Sequence, residues 1–310
     1  MSIDDSNLLV EKFRPQELDD VDGNEEIIES CEKFIEMGRI PHLIFSGPAG
    51  VGKTTIAEIL ARKIAGIGNT KILNASDKRG VAEAKGPVKE FAQTDGQFMD
   101  RLKIIILDEA DHSTDDFQAA IRKIMEDESA YCRFIWICNK SHKIIDPIKS
   151  RCVEFKFKKI NKKSILKRLM YICKKEHIDL TIKQLAKIIN VHQGDMRKCI
   201  NIIDAIKTGA KLDAVISDIN PKLYLKLVLK NDLKGIRTYI DNNIFSNDDM
   251  KYLINRCIDI IMSTDGLIGK IKSNLLLLNL TEADYRLAMG TNYYSIAFWL
   301  PLSVHCLLDD

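Results

Sequence analysis

Ser46-Gly47-Pro48-Ala49-Gly50-Val51-Gly52-Lys53-Thr54-Thr55 reads G-x-x-x-x-G-K-T, the pattern of a phosphate-binding loop. The pattern carries meaning only between a strand and a helix, and both flanks supply that context. Leu43-Ile44-Phe45 is a short apolar run suited to a buried strand, and Ile56-Ala57-Glu58-Ile59-Leu60-Ala61-Arg62-Lys63 suits a helix. Glycine lets the backbone wrap closely round an anion, and the amides of the first helical turn point at it. In such a loop Lys53 reaches the β- and γ-phosphates and the Thr54 hydroxyl holds Mg2+, while Pro48, Gly50, Val51, Gly52 and Thr55 complete the cradle.

Upstream, Arg14-Pro15 predicts an extended segment across residues 8–24, since the residue before proline avoids the helical region. A helix is predicted over Glu25 to Met37 from the spacing of Ile27, Ile28, Cys31, Phe34 and Ile35, and Gly38 and Pro41 end it. Downstream, a strand at Lys71–Asn74 leads into the polar connection Ala75–Gly80. A helix from Val81 to Ala92 follows, with an irregularity expected at Gly86-Pro87. Lys103-Ile104-Ile105-Ile106-Leu107 is continuously apolar after its first residue, as in a strand buried on both faces of a parallel sheet. It ends in Asp108-Glu109-Ala110-Asp111. A helix over Thr114–Glu126, a buried strand Phe134–Cys138 ending at Asn139, and a last strand Val153–Phe157 complete an α/β layer fold with a parallel sheet.

From about residue 160 helical periodicity takes over. The reading is three domains: 1–159, a small helical domain 160–221, and an all-helical domain 222–310. The apolar stretch Ile296 to Leu308 is interrupted by Pro301 and His305, and is expected to form a pair of buried helices rather than a membrane element.

A chain of 310 residues, 45% of them apolar, can bury more than one core. The net charge of +2 argues against a chain-wide polyanion coat and leaves room for a local basic patch. The eight cysteines form no C-x-x-C or C-x-x-H pair, which gives no zinc-site spacing; several sit in apolar runs, as in a reduced intracellular protein. Met1-Ser2-Ile3-Asp4-Asp5 is acidic and reads as no signal peptide, and no apolar run reaches about 18 residues, so no membrane partner is expected.

Asp108 and Glu109 close the central strand. In a phosphate-loop protein the first acid positions Mg2+, and the second is placed to polarise the attacking water. Asn139, at the end of the next strand, suits either a polar strand cap or a hydrogen bond to the γ-phosphate or the water. Arg197, in Gly194-Asp195-Met196-Arg197-Lys198, is either a surface arginine or one that folds back onto the phosphates. The letters Asp-Glu-Ala-Asp suggest an RNA helicase, but such enzymes need a second nucleotide-binding half and nothing after residue 160 supplies one.

Beyond the phosphate loop, the chain resembles a small subunit of a sliding-clamp loader, the replication factor C type of archaea or phage, within the AAA+ ATPases. The resemblance rests on Val10-Glu11-Lys12-Phe13-Arg14-Pro15, Asn74-Ala75-Ser76-Asp77-Lys78-Arg79-Gly80, Val88-Lys89-Glu90-Phe91-Ala92, Ile105–Asp111, Ser150-Arg151-Cys152 and Gly194–Lys198, in that order, across residues 8–205. It implies an AAA+ sheet domain, a helical lid and an all-helical collar. It implies that ATP and Mg2+ are bound, and that Val10, Glu11, Lys12, Phe13 and Asp22 line the adenine pocket. Asn139 resembles the residue called sensor 1 and Arg197 the one called sensor 2. Arg151 resembles an arginine finger that acts on ATP held by the neighbouring subunit. With Lys53 and Glu109 these form the catalytic set.

Phe13 stands where tyrosine is usual, Asp22 where an aliphatic residue is usual, and Lys78 where glutamate is usual. The family's channel-facing helices correspond here to Lys78, Arg79, Lys85 and Lys89, and to Arg122 and Lys123. Each suits a solvated helix face equally, and as phosphate contacts they give affinity without sequence specificity. Gln118 is expected to couple DNA contact to the catalytic glutamate. Phe91 and Phe98 are candidates for insertion into the clamp, against the default of core aromatics. The resemblance implies an ATPase subunit of a pentameric hetero-oligomer that opens a ring-shaped clamp and loads it on primer–template DNA, inside the cell at the replication fork. The alternatives are another AAA+ DNA-remodelling motor of the Holliday-junction helicase type, and a nucleotide-gated scaffold with idle sites.

Overall fold

A computed structural model describes residues 8–76, 81–93, 102–192, 194–212, 219–263 and 270–306. They fall into two compact units. The first comprises the described residues up to Ile189 together with Gly194–Asp204, and the second the remainder.

The first unit is built on five strands: β1 (His42–Ser46), β2 (Thr70–Asn74), β3 (Lys103–Asp108), β4 (Cys132–Cys138) and β5 (Cys152–Lys156). They lie in the order β2-β3-β4-β1-β5, and every pairing is parallel. Parallel neighbours need crossovers, which is why helices alternate with strands. The chain runs through α1 (Leu9–Lys12) and α2 (Glu25–Met37) before β1. It then uses α3 (Lys53–Ile64), α4 (Val81–Gln93), α5 (Asp115–Asp127) and α6 (Asp146–Lys149) as successive connections. Central strands carry the apolar runs: Ile104, Ile105, Ile106 and Leu107 of β3 are fully buried, each worth about 1.5–3 kcal/mol relative to exposure. The outer strands β2 and β5 alternate partly exposed positions. Thr114 caps α5 by accepting from the Phe117 amide at 3.2 Å, so the helix begins one residue later than its apolar pattern suggested.

Two local expectations change in the first unit. The segment before Arg14-Pro15 is not wholly extended: α1 forms over Leu9–Lys12, with Leu9 fully buried, and stops before the proline. At Gly86-Pro87 α4 continues from Val81 to Gln93 without a break. After β5 come α7 (Lys162–Lys175), α8 (Ile182–Val191) and α9 (Met196–Lys207).

The second unit contains α10 (Pro221–Leu229), α11 (Leu233–Asn243), α12 (Asn247–Ser263), α13 (Lys270–Ala288) and α14 (Tyr293–Cys306). Its core gathers Tyr224, Ile236, Ile240, Leu253, Leu280, Ala297 and Leu300. Of the stretch expected to form a helix pair, the described residues 296–306 form instead part of one helix, α14, that runs through Pro301. Proline has no amide to give the carbonyl four residues earlier, that of Ala297. The fully buried Tyr224 hydroxyl donates to that carbonyl at 3.4 Å, so a tertiary contact replaces the missing helical one.

Candidate functional site

Parallel strands bring all their carboxyl ends to one edge of the sheet, where ligands of open α/β sheets bind. The register sets Ser46 beside Cys138 and Asn74 beside Asp108. The loops after β1, β2, β3 and β4 therefore open on one edge, although the ends of β1 and β4, Ser46 and Cys138, lie 92 positions apart in the chain.

The loop after β1 turns into α3 at Gly52, whose φ of 91° is the left-handed conformation that glycine tolerates best. Lys53 follows, only 7% exposed, with its ammonium donating to the carbonyls of Gly47 (2.6 Å) and Pro48 (2.7 Å) and to Asn139 Oδ1 (3.0 Å). Burial pulls its pKa below the ordinary value, against the opposing pull of Cys138, Asp108 and Asp111. The Thr54 hydroxyl donates to Asp108 Oδ2 at 3.0 Å. Adjacent ligands of an octahedral Mg2+ at about 2.1 Å stand about 3 Å apart, so this oxygen pair fits one such ion. Among the described residues no group of three or more His, Cys, Asp or Glu could hold a metal, so the remaining ligands would be phosphate oxygens and water.

Glu109 sits just beyond, in a left-handed conformation with φ 53°. Asn74 Nδ2 donates to its Oε2 at 3.2 Å, and the Ser76 hydroxyl does so at 2.7 Å. The serine bond first, and the asparagine bond second, hold its carboxyl below the usual glutamate range. Glu109 is exposed and ionised, as a group that polarises water must be. Asn139 is fixed from behind. Asp111, 4% exposed, accepts from the amides of Asn139 and Lys140, both at 3.2 Å.

The same cavity, of about 310 Å³, extends between Val10, Phe13, Val21, Asp22, Ile160 and Ile200, with Arg168 and Arg197 on its wall. Arg168 of α7 donates to the Phe13 carbonyl at 2.8 Å, and Arg14 pairs with Glu58 of α3 at 3.1 Å. These bonds tie the N-terminal segment to both the sheet side and the helical side. Arg197 stands exposed in the first turn of α9, which Asp195 caps by accepting from the Lys198 amide at 3.1 Å.

Of the residues expected at the nucleotide, the structure gathers Val10, Phe13, Asp22, Gly50, Val51, Gly52, Lys53, Thr54, Thr55, Asp108, Glu109, Asn139 and Arg197 round this cavity. Glu11 and Lys12 turn elsewhere, toward Arg14 (3.5 Å) and Glu176 (3.1 Å), while Pro48 contributes its carbonyl to Lys53. Arg151 lies outside the cavity, 40% exposed, paired with Glu126 at 2.6 Å. Arg122 is half-buried and 3.9 Å from the same glutamate; Lys89 and Lys123 are exposed. Phe91 is half-buried against the sheet core, with the Lys71 and Lys103 ammonium groups 5.6 and 5.5 Å from its ring. Lys78, Arg79 and Phe98, and the side chain of Lys85, lie outside the described residues. Gln118 does not bond Glu109. Its buried amide donates to the Lys143 carbonyl (3.0 Å) and accepts from the Ile145 amide (2.9 Å). Sequence reasoning had given no role to Asn74, Ser76, Asp111, Asp195 or Arg168. All but Arg168 stood inside a quoted motif, but only the register of β2 against β3 shows that Asn74 and Ser76 reach Glu109.

A phosphate loop after β1, an acidic pair after β3 and an asparagine after β4, on this sheet order, define an AAA-type ATPase. The family model "ATPase family associated with various cellular activities (AAA)" matches residues 43–160. The protein called "Replication factor C small subunit" from Methanoregula boonei is 36% identical over 308 residues, covering 94% of each chain. The protein of that name from Archaeoglobus fulgidus is 39% identical over 299 residues, covering 91% of this chain and 92% of its own. The chain belongs to the replication factor C small-subunit family, the ATPases of sliding-clamp loaders. The solved structure titled "Thermotoga maritima RuvB Holliday junction branch migration motor" has a TM-score of 0.53 over 88% of this chain and 80% of its own; at 14% identity that likeness is one of fold alone. Nucleotide binding, ATP hydrolysis and membership of a clamp-loading complex go with the family. No helix among the described residues is long and apolar enough to cross a membrane.

Proposed function

We propose that this chain binds Mg2+-ATP in the cavity at the sheet edge and hydrolyses it with help from the next subunit, and that the cycle opens a ring-shaped clamp and leaves it on primer–template DNA. The observation that carries this reading is the meeting of Lys53, the Thr54–Asp108 pair, Asn139 and Glu109 at one end of one cavity. Lys53 would draw charge from the β- and γ-phosphates, and Thr54 and Asp108 would hold the cation directly or through its water. Glu109 would orient the attacking water, and Asn139 and Arg197 would contact the γ-phosphate. When bound, Mg2+ neutralises charge developing on the phosphoryl oxygens.

The guanidinium that completes the site is assigned to Arg151 of a neighbouring copy. Its exposure, and its place outside its own cavity, favour that assignment. An arginine finger is worth about 10³–10⁵ in rate, so a lone subunit is a poor ATPase and turnover reports assembly. Lys78, Arg79, Lys85, Lys89, Arg122 and Lys123 would track the DNA backbone, and Phe91 and Phe98 are the candidates for clamp contact. In functional terms residues 1–159 form the ATPase domain, 160–221 the lid and 222–310 a collar that holds a pentameric hetero-oligomer together at the replication fork.

The test is ATPase turnover of the assembled loader with and without clamp and primed DNA. Both should stimulate it, and Arg151→Ala should abolish the stimulation while ATP binding stays intact. Unchanged turnover of the Arg151→Ala assembly rejects the in-trans role. Turnover indifferent to clamp and DNA favours a different AAA motor.

A further inference from the structure

Asp22 is the acid on a part of the cavity wall made of apolar residues with Arg168 and Arg197. Val10, Phe13, Val21 and Ile200 line that part of the cavity, as a purine ring requires, and the other carboxylates of the cavity, Asp108 and Glu109, stand with the phosphate loop. Asp22 is half-buried, and among the described residues it makes no hydrogen bond and no ion pair. Burial lifts its carboxyl above the usual range, against the pull of Arg168 and Lys167. Arg168 acts on it through its charge and makes no hydrogen bond to it, its Nη2 donating instead to the Phe13 carbonyl at 2.8 Å. A half-buried carboxylate with no hydrogen bond from the protein takes its donors from water or from a ligand in the cavity, and a ligand amino group that replaces that water makes a charge-assisted bond.

We propose that Asp22 is a specificity-determining residue whose carboxylate accepts a hydrogen bond from the 6-amino group of adenine. The inference rests on the reading of this cavity as an ATP site. It predicts discrimination at one position of the base. A 6-amino group donates to Asp22, the hydrogen of an unsubstituted purine does not, and a 6-oxo group sets its own lone pairs against the carboxylate. A site built to hydrogen-bond one group rejects analogues that lack it far better than a site that only encloses them.

Equilibrium binding of the Mg2+ complexes of ATP, purine riboside triphosphate and inosine triphosphate to the full chain tests it, measured by calorimetry. The wild type should bind ATP about tenfold or more tighter than either analogue, the range of a hydrogen bond to a charged acceptor. Asp22→Val should bring the three within about twofold, with no loss of thermal stability, since no protein partner is removed. Asp22→Asn, which keeps the size and can turn either its oxygen or its amide to the base, should retain ATP and gain inosine triphosphate. ATP binding with the wild-type ratios unmoved in both variants would overturn the role of Asp22 alone. Failure of the wild type to bind any of the three triphosphates would overturn the nucleotide reading and the inference with it.

Discussion

Replacing Gly50 by alanine should damage the nucleotide site through a helix that is remote in sequence. Gly50 has φ +72°, and a Cβ built there would lie 2.0 Å from Asp195 Oδ1 and 2.5 Å from its Cγ. Two costs follow. Holding alanine in the left-handed region costs about 1–2 kcal/mol. The carboxylate must also swing away, which uncaps the Lys198 amide at the start of α9 and costs about 1 kcal/mol. Gly50→Ala should therefore destabilise the first unit by about 2–3 kcal/mol. It should also weaken ATP binding, because the disturbed first turn of α9 carries Arg197. Asp195→Ala alone should cost about 1 kcal/mol, the cap and nothing more. In the double variant the cap is lost only once and the clash is gone, so the two costs should fall short of additivity by about 1 kcal/mol. Urea unfolding followed through Trp136, which is fully buried in the first unit, gives the stabilities, and ATP titration gives the affinities. Full additivity, or a Gly50→Ala protein as stable as wild type, would refute the steric argument.

Other outcomes follow from the same geometry. His42 accepts the Phe134 amide on Nδ1 at 3.1 Å, and burial first, then Arg133, lowers its pKa from 6.5 to about 4. The unfolded chain therefore takes up a proton near pH 6.5 that the folded chain refuses until about pH 4, so stability should fall across that window by up to about 3 kcal/mol. His42→Asn keeps an acceptor without titrating, and its melting temperature should vary less between pH 6.5 and 4; parallel profiles would exclude His42 as the cause. Ser76→Ala removes the largest influence holding the Glu109 carboxyl down, so the acid limb of ATPase activity in the assembled enzyme should move to higher pH. An unmoved limb would show that Glu109 does not govern it. Tyr224→Phe should destabilise the second unit by about 1 kcal/mol, because the Ala297 carbonyl, already without a helical partner, then has none. Tyr224→Phe melting with wild type would contradict that account of the uninterrupted α14.

Much of the first unit was legible because its signals are local. Four consecutive apolar residues of β3 bury on both faces whatever surrounds them, and G-x-x-x-x-G-K-T needs only a strand before it and a helix after it. α2 ends at Gly38 because φ +64° there is a property of glycine itself. The sequence alone therefore determined the α/β alternation, the phosphate loop and the acidic pair. Tertiary structure decided what each of these groups touches. Asn74 and Ser76 reach Glu109 because β2 lies beside β3 in a register that pairs Asn74 with Asp108. Pro301 failed to end a helix because Tyr224, 77 positions earlier, supplies the donor that proline lacks. Gln118 bonds residues 143–145 because α5 packs against the segment after β4. Hydrophobic period and turn chemistry depend on near neighbours along the chain, whereas a hydrogen bond between distant residues depends on register and packing that no window of sequence contains.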